Sequence, residues 1–245
     1  MRIVRRLGLV GAVLLGLTGF VRAGDRETAL ALSEQAIKAH GGDQALTKAQ
    51  TVARTVAGTL SLGGDVSFTG ESTLSLPGRA KQTVQLDKGG QVIIVLNGDR
   101  GWRSAGGAVN EMTKEGLDEL REEVYIEWLL TLVPLKKDGF DLTPLADKMV
   151  DGKPAAGLKV ASRGHFEARL YFDKASNLLV KVERQSREPG FEVNKEYLFG
   201  GHKDFDGVKL PTTRMELFNG KKFVGVTSTT YRFLGKVDDA AFARP

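Results

Sequence analysis

Residues 113–132, TKEGLDELREEVYIEWLLTL, decide how the rest of the chain is interpreted, because they form the one long helical pattern in a sequence that otherwise alternates as strands do. Apolar side chains recur in this stretch at three- and four-residue spacing, which places them on one helical face. They are Leu117, Leu120, Val124, Tyr125, Trp128, Leu129 and Leu132. The opposite face is charged, and its carboxylates are those of Glu115, Asp118, Glu119, Glu122 and Glu123. The pattern predicts an amphipathic helix, with Thr113 as its N-cap, whose apolar stripe covers another layer of structure.

Runs of alternating residues flank this helix on both sides and predict the layer that it covers. Eleven strands are expected, at 51–62, 65–76, 79–87, 91–96, 100–104, 158–162, 166–172, 178–187, 191–199, 208–218 and 222–234. Turn pairs such as Gly63-Gly64 and Asn97-Gly98 separate them, as in antiparallel hairpins. A shorter helical pattern at 25–40 ends at Gly41-Gly42. Together these features predict an α+β, mainly β, domain with two or three helices on a large, curved antiparallel sheet.

The first 23 residues have the pattern of a secretory signal peptide. Arg2, Arg5 and Arg6 precede an uncharged run that closes at Val21-Arg22-Ala23. The run is short of the ~20 apolar residues that a membrane-spanning helix needs, so we favour a cleaved signal over an anchor. Residues 24–245 are then one exported, periplasmic domain without a transmembrane anchor.

The signal segment also changes the charge argument. The chain has 35 basic and 30 acidic residues, and the signal contains four of the arginines and no acid. The remainder is therefore close to neutral, and no basic patch is expected that would bind nucleic acid. The sequence has no cysteine, so neither a disulfide nor a lipid-modified thiol is expected.

One predicted strand, 92–96, departs from alternation because Val92, Ile93, Ile94, Val95 and Leu96 are apolar on both faces. Such a strand is not expected in an antiparallel sheet that has one face exposed to solvent. Two interpretations remain open at this point. The strand lies at the centre of the core, or the sheet curves around an apolar concavity while a helix covers its outside.

The residues that usually carry catalysis or metal binding are absent or scattered. His40, His165 and His202 lie in separate segments without metal-ligand spacing. Residues 202–207 resemble the start of a calcium loop, but the later ligands do not follow, so a plain turn is expected. No phosphate-binding glycine motif, nucleophile elbow or thiol is present. The sequence predicts no catalytic, cofactor or metal site, although a carboxylate pair assembled in space is left open.

Several loose motifs together resemble bacterial outer-membrane lipoprotein carrier and sorting proteins, the LolA/LolB-like superfamily that includes periplasmic sensors of the RseB type. The motifs are Ala39-His40-Gly41-Gly42 with Ala45-Leu46, the strand 70–76 before Pro77, Asn97-Gly98-Asp99-Arg100-Gly101-Trp102, and the terminal stretch 238–245. The resemblance implies a half-barrel of about eleven strands, with helices lidding an apolar cavity for acyl chains. In the carrier, an arginine before the strand-ending proline helps to hold the lid shut. Here that position is Leu76, with Arg79 only nearby.

The resemblance and the missing chemistry together predict a non-enzymatic carrier or chaperone, monomeric, that binds acyl chains of lipoproteins or other lipids. An envelope membrane protein is a further expected partner. The alternatives are a lipid-state sensor acting through a protein partner, a small periplasmic hydrolase and a purely structural envelope module. For Trp102, we favour a role as a core aromatic over a role in contacting a ligand. The candidate residues for the cavity or its lid are Val92, Ile94, Leu96, Trp102, Tyr125, Trp128, Leu129 and Leu132.

Overall fold

The computed structural model describes residues 23–61, 63–87, 89–188 and 191–245. The predicted signal peptide lies outside these residues, except for Ala23. Among the described residues, we find no helix with the length and apolar character to cross a membrane.

Three α-helices and two 3₁₀ turns are present in the described residues. Helix α1 spans Ala23–Ala39, α2 spans Asp43–Lys48 and α3 spans Lys114–Leu129. The side-chain oxygen of Thr113 accepts a hydrogen bond from Gly116 N at 3.2 Å, so the predicted N-cap is confirmed. A 3₁₀ turn at Val133–Lys136 follows α3, and another forms at Asp239–Phe242. The helical part of the predicted stretch is thus slightly shorter than 113–132, because Leu132 adopts a left-handed φ of 59° just before the 3₁₀ turn.

Fifteen strands are present in the described residues, and thirteen of them form one antiparallel sheet. The strands are β1 Thr51–Ser61, β2 Asp65–Ser75, β3 Arg79–Leu86, β4 Gln91–Asn97, β5 Arg100–Ala105, β6 Ala108–Glu111, β7 Phe140–Val150, β8 Lys153–Ser162, β9 Ala168–Asp173, β10 Leu179–Glu188, β11 Phe191–Gly200, β12 Lys203–Phe205, β13 Val208–Leu210, β14 Thr213–Phe218 and β15 Lys221–Phe233. Their order in the sheet is β6-β5-β4-β3-β2-β1-β15-β14-β11-β10-β9-β8-β7, and β12 and β13 form a separate hairpin.

The predicted fold class is confirmed, but the strand count is too low. Strand β7 was not predicted, because Pro144 and Asp147 interrupt its pattern, and proline is disfavoured inside sheets. The predicted strand 208–218 is divided into β13 and β14 around Pro211. Short strands β6 and β12 escaped detection because three or four residues cannot show a period.

The sheet curves strongly around α3, with β6 and β7 as its two edges. Helix α3 contacts both β5 and β10, which are eight strand positions apart. In a flat sheet that separation would be about 38 Å at ~4.8 Å per strand, whereas a helix with its side chains is only about 10–12 Å across. The sheet therefore wraps around α3 as an open half-barrel, and we call the α3-facing side concave.

Two apolar clusters lie on the concave side. The larger one joins α1, α2 and the C-terminal half of α3 to β7–β11, and includes the fully buried Leu129, Leu132, Leu158 and Phe172. The smaller one places Val124 of α3 on the ends of β1–β4. It consists of Val52, Leu74, Ala80, Leu96 and Val124.

The convex side explains the doubly apolar strand. Val95 and Trp102 are buried there against Phe242 of the C-terminal 3₁₀ turn. Arg79 forms an ion pair with Asp239 of that turn, and its guanidinium lies 5.0 Å from the Phe242 ring centroid. Strand β4 is therefore covered by α3 on the concave side at its Leu96 end, and by the C-terminal segment on the convex side. Of the two interpretations, the curved sheet is the correct one, although the outer cover is a 3₁₀ turn and not a long helix.

Candidate functional site

Helix α3 faces the sheet with carboxylates as well as with apolar residues. Glu119, Glu123 and Glu127 follow one another at four-residue spacing, so they form one row along the helix. Their side chains are 14%, 33% and 16% exposed and point into the half-barrel. The carboxylates predicted on the charged face of the helix thus divide between two environments. Glu119 and Glu123 point into the half-barrel, whereas Glu115 and Asp118 are exposed.

The first two glutamates bind a basic pair on β10 and β11. Lys195 Nζ lies 2.7 Å from Glu119 Oε1 and 2.6 Å from Glu123 Oε1. Arg184 Nη2 forms a second ion pair with Glu123. The side chains of Arg184 and Lys195 are only 0% and 5% exposed, so these cations are compensated inside the protein and not by water.

The third glutamate bridges two strands that are far apart in sequence and are separated only by β15 in the sheet. Glu127 Oε2 lies 2.7 Å from Arg54 Nη1 on β1, and its Oε1 lies 2.6 Å from Arg214 Nη1 on β14. Burial acts to raise the pKa of Glu127, but the charges of Arg54 and Arg214 outweigh it and lower the pKa to about 2. Glu127 is therefore ionised at neutral pH and ties α3 to the middle of the sheet.

The pKa values of the other glutamates in this network are shifted in opposite directions. Burial opposes ionisation of Glu123, yet Arg184 and Lys195 hold its pKa at about 2. In contrast, burial raises the pKa of Glu119 and of Glu216 above the usual value, even though each has a basic neighbour. Removing one member of such a buried network leaves an uncompensated charge, which typically costs about 3–5 kcal/mol. We therefore interpret the network as a clamp that fixes where α3 lies.

Beside this clamp, the concave face carries a row of apolar side chains that we call the apolar floor. Strand register places these residues on the same face as Val52 and Leu96, which contact α3. The floor consists of Val56, Val66, Phe68, Val84, Val92, Ile94, Val224 and Val226. Apart from the buried Phe68, each is only half-buried. Their neighbours along the strands, such as Thr55, Thr69 and Gln85, are exposed on the convex side.

A polar notch opens next to the ion network. It has a volume of about 570 Å³ and lies where the β10–β11 hairpin extends beyond the start of β9. Its lining includes Glu183, Arg184, Gln185, Asn194, Lys195 and Glu196. Strand alternation places Glu183, Gln185, Asn194 and Glu196 on the opposite face of the sheet from the side chains of Arg184 and Lys195, so the notch lies on the outer side of this pair.

The predicted candidates on β4 and β5 divide between the two faces. Val92 and Ile94 belong to the apolar floor, and Leu96 is buried against Val124. Trp102 lies on the convex side, against Phe242. Its place is thus that of a core aromatic, and the prediction that it could line the concave face is not supported by the geometry.

The predicted candidates on α3 and just after it lie in the main core or at its border. Leu129 and Leu132 are fully buried there. Tyr125 is buried with its ring stacked on His165 at a centroid distance of 3.6 Å, and its hydroxyl lies 2.7 Å from Ser162 Oγ. Trp128 is half-buried, and its Nε1 donates a hydrogen bond to Gln50 Oε1 at 3.2 Å. These contacts anchor the C-terminal half of α3.

The N-terminal half of α3 is held differently. Leu117 and Leu120 are half-buried and lie over Gly101 of β5. A Cβ atom at position 101 would come within 3.0 Å of Leu117 Cδ1 and 3.5 Å of Leu120 Cδ2. Glycine thus permits the close approach of helix and strand. This half depends on that contact and on Glu119, and it is the part of α3 that can open with the smaller loss of apolar burial.

The histidines form no site of the kind that metals use. His40 Nδ1 lies 2.7 Å from the carbonyl oxygen of Lys209, and its Nε2 accepts a hydrogen bond from Leu179 N at 3.0 Å. Burial lowers the pKa of His40 to about 4, so the ring is neutral and both nitrogens are used to hold α1 to the sheet. Within the described ranges, no group of three or more His, Asp or Glu side chains could hold a metal ion.

Sequence reasoning did not find the basic members of the network. Arg54, Arg184 and Lys195 each occupy a position whose neighbours two residues away are apolar on at least one side, for example Val193 and Tyr197 around Lys195. The signal that could have found them is a cation at a strand position whose side chain points to the same face as buried apolar residues. Such a cation needs an anionic partner. The matching anions are the glutamates spaced four residues apart on α3.

Solved structures of other proteins have a fold similar to that of this chain. An outer-membrane lipoprotein-sorting protein domain from Vibrio parahaemolyticus superposes with a TM-score of 0.56 at 14% identity, covering 89% of this chain and 97% of the other. This chain shares the fold of that domain. A DUF1329 family protein from Desulfovibrio piger superposes with a TM-score of 0.55 at 13% identity, covering 88% of this chain and 97% of the other. The sequence matches no family model and no curated protein. The resemblance inferred from the motifs is thus confirmed as a likeness of fold.

Proposed function

We propose that this protein is an exported, periplasmic, non-enzymatic carrier that binds acyl chains of lipoproteins or other lipids on its concave face. The observation that carries the proposal is the apolar floor. Its valine side chains are only half-buried although they point into the half-barrel, and a contiguous apolar surface of this kind marks a binding site in a soluble domain. The lipoprotein-sorting fold supports the same function by analogy alone.

The driving force would be the transfer of methylene groups from water to the floor. Burial of each methylene contributes about 0.8 kcal/mol. A chain of about fourteen carbons would then gain roughly 10 kcal/mol before the costs of ordering the chain and moving the cover are subtracted. Those costs keep binding reversible, as a carrier requires.

The two halves of α3 would have different tasks. Leu129 and Leu132 fix the C-terminal end in the main core, where no opening is expected. The N-terminal half lies over the same concave face as the floor and is held by Leu117, Leu120 and the ion pairs of Glu119. We infer that this half is the cover that an entering acyl chain displaces.

The experiment that tests the function compares adjacent positions of β3. Val84 is in the floor and Gln85 points to the convex side, so Val84→Glu and Gln85→Glu add the same charge to opposite faces. With a fluorescent fatty acyl probe, we expect Val84→Glu to weaken binding at least about tenfold, because the carboxylate must be desolvated or must exclude the chain. Gln85→Glu should leave the affinity unchanged. Equal affinities of both variants, or no binding by the unmodified protein, would contradict the proposal.

A further inference from the structure

We propose that Arg184, Ser186, Lys195 and Tyr197 form a binding cradle for the anionic head of an amphiphile, a carboxylate or a phosphate. This inference rests on the proposed function, since the acyl chain of the same ligand would occupy the apolar floor. It goes beyond that function because it assigns the chemical class of the head group. An acyl carrier without such a cradle would accept neutral and anionic heads alike.

Four hydrogen-bond donors converge at this point from two neighbouring strands. Ser186 Oγ lies 2.8 Å from each carboxylate oxygen of Glu119, and Lys195 Nζ lies 2.7 Å from one of them. Arg184 Nη2 pairs with Glu123, and Tyr197 Oη donates to Glu123 Oε2 at 3.2 Å. The cations are almost fully buried. Charge-assisted donors arranged in this way match the oxygens of a carboxylate or phosphate.

The present occupants of the cradle are carboxylates of the chain itself. Glu119 and Glu123 belong to α3, and Glu119 belongs to the half of α3 that we infer to be the cover. Burying an ion pair is rarely the most stabilising choice at a position, because both charges must be desolvated. The buried ion pairs are explained if the carboxylates of Glu119 and Glu123 occupy, in the closed protein, the place that a ligand anion takes in the bound protein. The same cations then remain compensated whether the cover is closed or a ligand is bound.

An external anion would reach the cradle from the concave side when the N-terminal half of α3 moves away, because Arg184 and Lys195 pair with carboxylates of that helix. The polar notch lies on the other face of β10 and β11 and places further charged residues near the pair. Three acidic residues in the lining do not oppose an anion strongly, because each has a lysine partner. Glu183 and Glu196 both pair with Lys181, and Glu167 lies 3.5 Å from Lys159.

Aromatic residues join the cradle to the apolar floor. Lys195 Nζ lies 4.9 Å from the ring centroid of Phe218, and Phe218 stacks on Phe223 at 4.2 Å. Val224 of the floor follows Phe223 directly along β15. A ligand whose head lies at Lys195 can therefore extend its chain over Phe218 towards Val224, beside Glu216, which pairs with Val224 on the same face. The geometry fits a single molecule with an anionic head and an apolar tail.

Probes that share a twelve-carbon chain test the head-group class on the full-length protein. They are dodecanoate, dodecyl phosphate and the neutral dodecyl maltoside, each below its micelle concentration, with acetate and inorganic phosphate as tail-free anions. We expect both anionic amphiphiles to bind about tenfold or more tightly than dodecyl maltoside, because charge-assisted hydrogen bonds to a buried cradle are made only by an anion. Acetate and phosphate should not displace them at millimolar concentration.

Two variants should change the anionic affinity in opposite directions. Lys195→Met removes one donor and should weaken binding of the anionic probes about tenfold, while Glu119→Gln removes a competing anion and should strengthen it severalfold. Because both variants also loosen the cover, dodecyl maltoside measures that effect, and the ratio of anionic to neutral affinity is the readout: it should fall in Lys195→Met and rise in Glu119→Gln. Lys203→Met is the matched control, since it removes the same charge from an exposed hairpin lysine. If Lys195→Met fails to fold, Glu119→Gln still decides the question.

The outcomes separate this inference from the function on which it rests. Equal affinity of neutral and anionic probes, with no effect of Glu119→Gln, would overturn the cradle and leave the acyl carrier intact. Full displacement by acetate or inorganic phosphate would show a site for free anions and would likewise overturn an amphiphile site. Failure of every twelve-carbon probe to bind would overturn the carrier function itself.

Discussion

The ammonium group of Lys195 lies 2.7 Å from the carboxylate of Glu119, which joins the N-terminal half of α3 to β11 through an ion pair inside the half-barrel. The pair lies between the apolar floor and the outer notch. The N-terminal half of α3 is thus held by this ion pair and by the half-buried Leu117 and Leu120, whereas the C-terminal half is held by fully buried apolar residues and by the ion pairs of Glu127.

The two halves of α3 should differ in local stability. Leu129 is fully buried, so Leu129→Ala should cost about 2–5 kcal/mol in the free energy of unfolding. Leu117 is half-buried, and Leu117→Ala should cost less than half as much. Urea unfolding of the two variants measures this directly. Hydrogen exchange should also be faster at amides 117–122 than at 124–129, and the reverse order would contradict the assignment of the cover.

Acid should weaken the clamp in a defined pH range. The pKa of Glu127 is lowered from 4.5 to about 2 in the folded protein. Its contribution to stability is therefore complete above pH 4.5 and is lost as the pH falls towards 2, with a total of roughly 3 kcal/mol. Urea unfolding at several pH values should show this decrease in the unmodified protein.

The variant Glu127→Gln isolates this contribution. At neutral pH it should destabilise the protein by about 3–5 kcal/mol, because Arg54 and Arg214 lose the charge that compensates them. Between pH 4.5 and 2 its stability should fall less steeply than that of the unmodified protein. Glu71→Gln, on the exposed convex side, is the control and should keep the original slope. Identical slopes for Glu127→Gln and the unmodified protein would show that folding does not lower the pKa of Glu127.

His40 should add a second dependence on pH at less acidic values. Burial lowers its pKa from 6.5 to about 4, so the folded protein binds fewer protons than the unfolded chain between these values. The stability that the neutral ring provides is complete above pH 6.5 and decreases by roughly 3 kcal/mol as the pH falls to 4. His40→Gln should reduce this slope even though it lowers stability at pH 7. An unchanged slope would mean that another group is responsible.

Much of the fold could be predicted from the sequence because its signals are local. The period of residues 113–132, the cap at Thr113 and the turn glycines each depend on neighbouring residues, and α3 and most strands lie where they predict. Strand β7 could not be predicted because Pro144 breaks its alternation, and only pairing with β8 makes it a strand. The convex cover at Phe242 depends on a contact across more than a hundred residues.

The candidate site could be predicted only in part. Ile94 and Val92 were found because an apolar strand on both faces is conspicuous, but the sequence could not say which face each side chain of β4 occupies relative to Trp102. The ion network could not be predicted, since helix glutamates and strand cations become partners only when the sheet curves around α3. Without that curvature the glutamates resemble an ordinary solvent face.

The most direct measurement uses Ile93 and Ile94, which are adjacent in β4 and point to opposite faces. Methyl NMR spectra would be recorded while a fatty acid with a nitroxide near its chain end is added to saturation. If acyl chains bind on the concave face, the methyl signals of Ile94 broaden clearly more than those of Ile93, because the effect of the nitroxide falls steeply with distance. Equal broadening of both residues, or none at a concentration where the fatty acid is bound, would contradict acyl binding at the apolar floor.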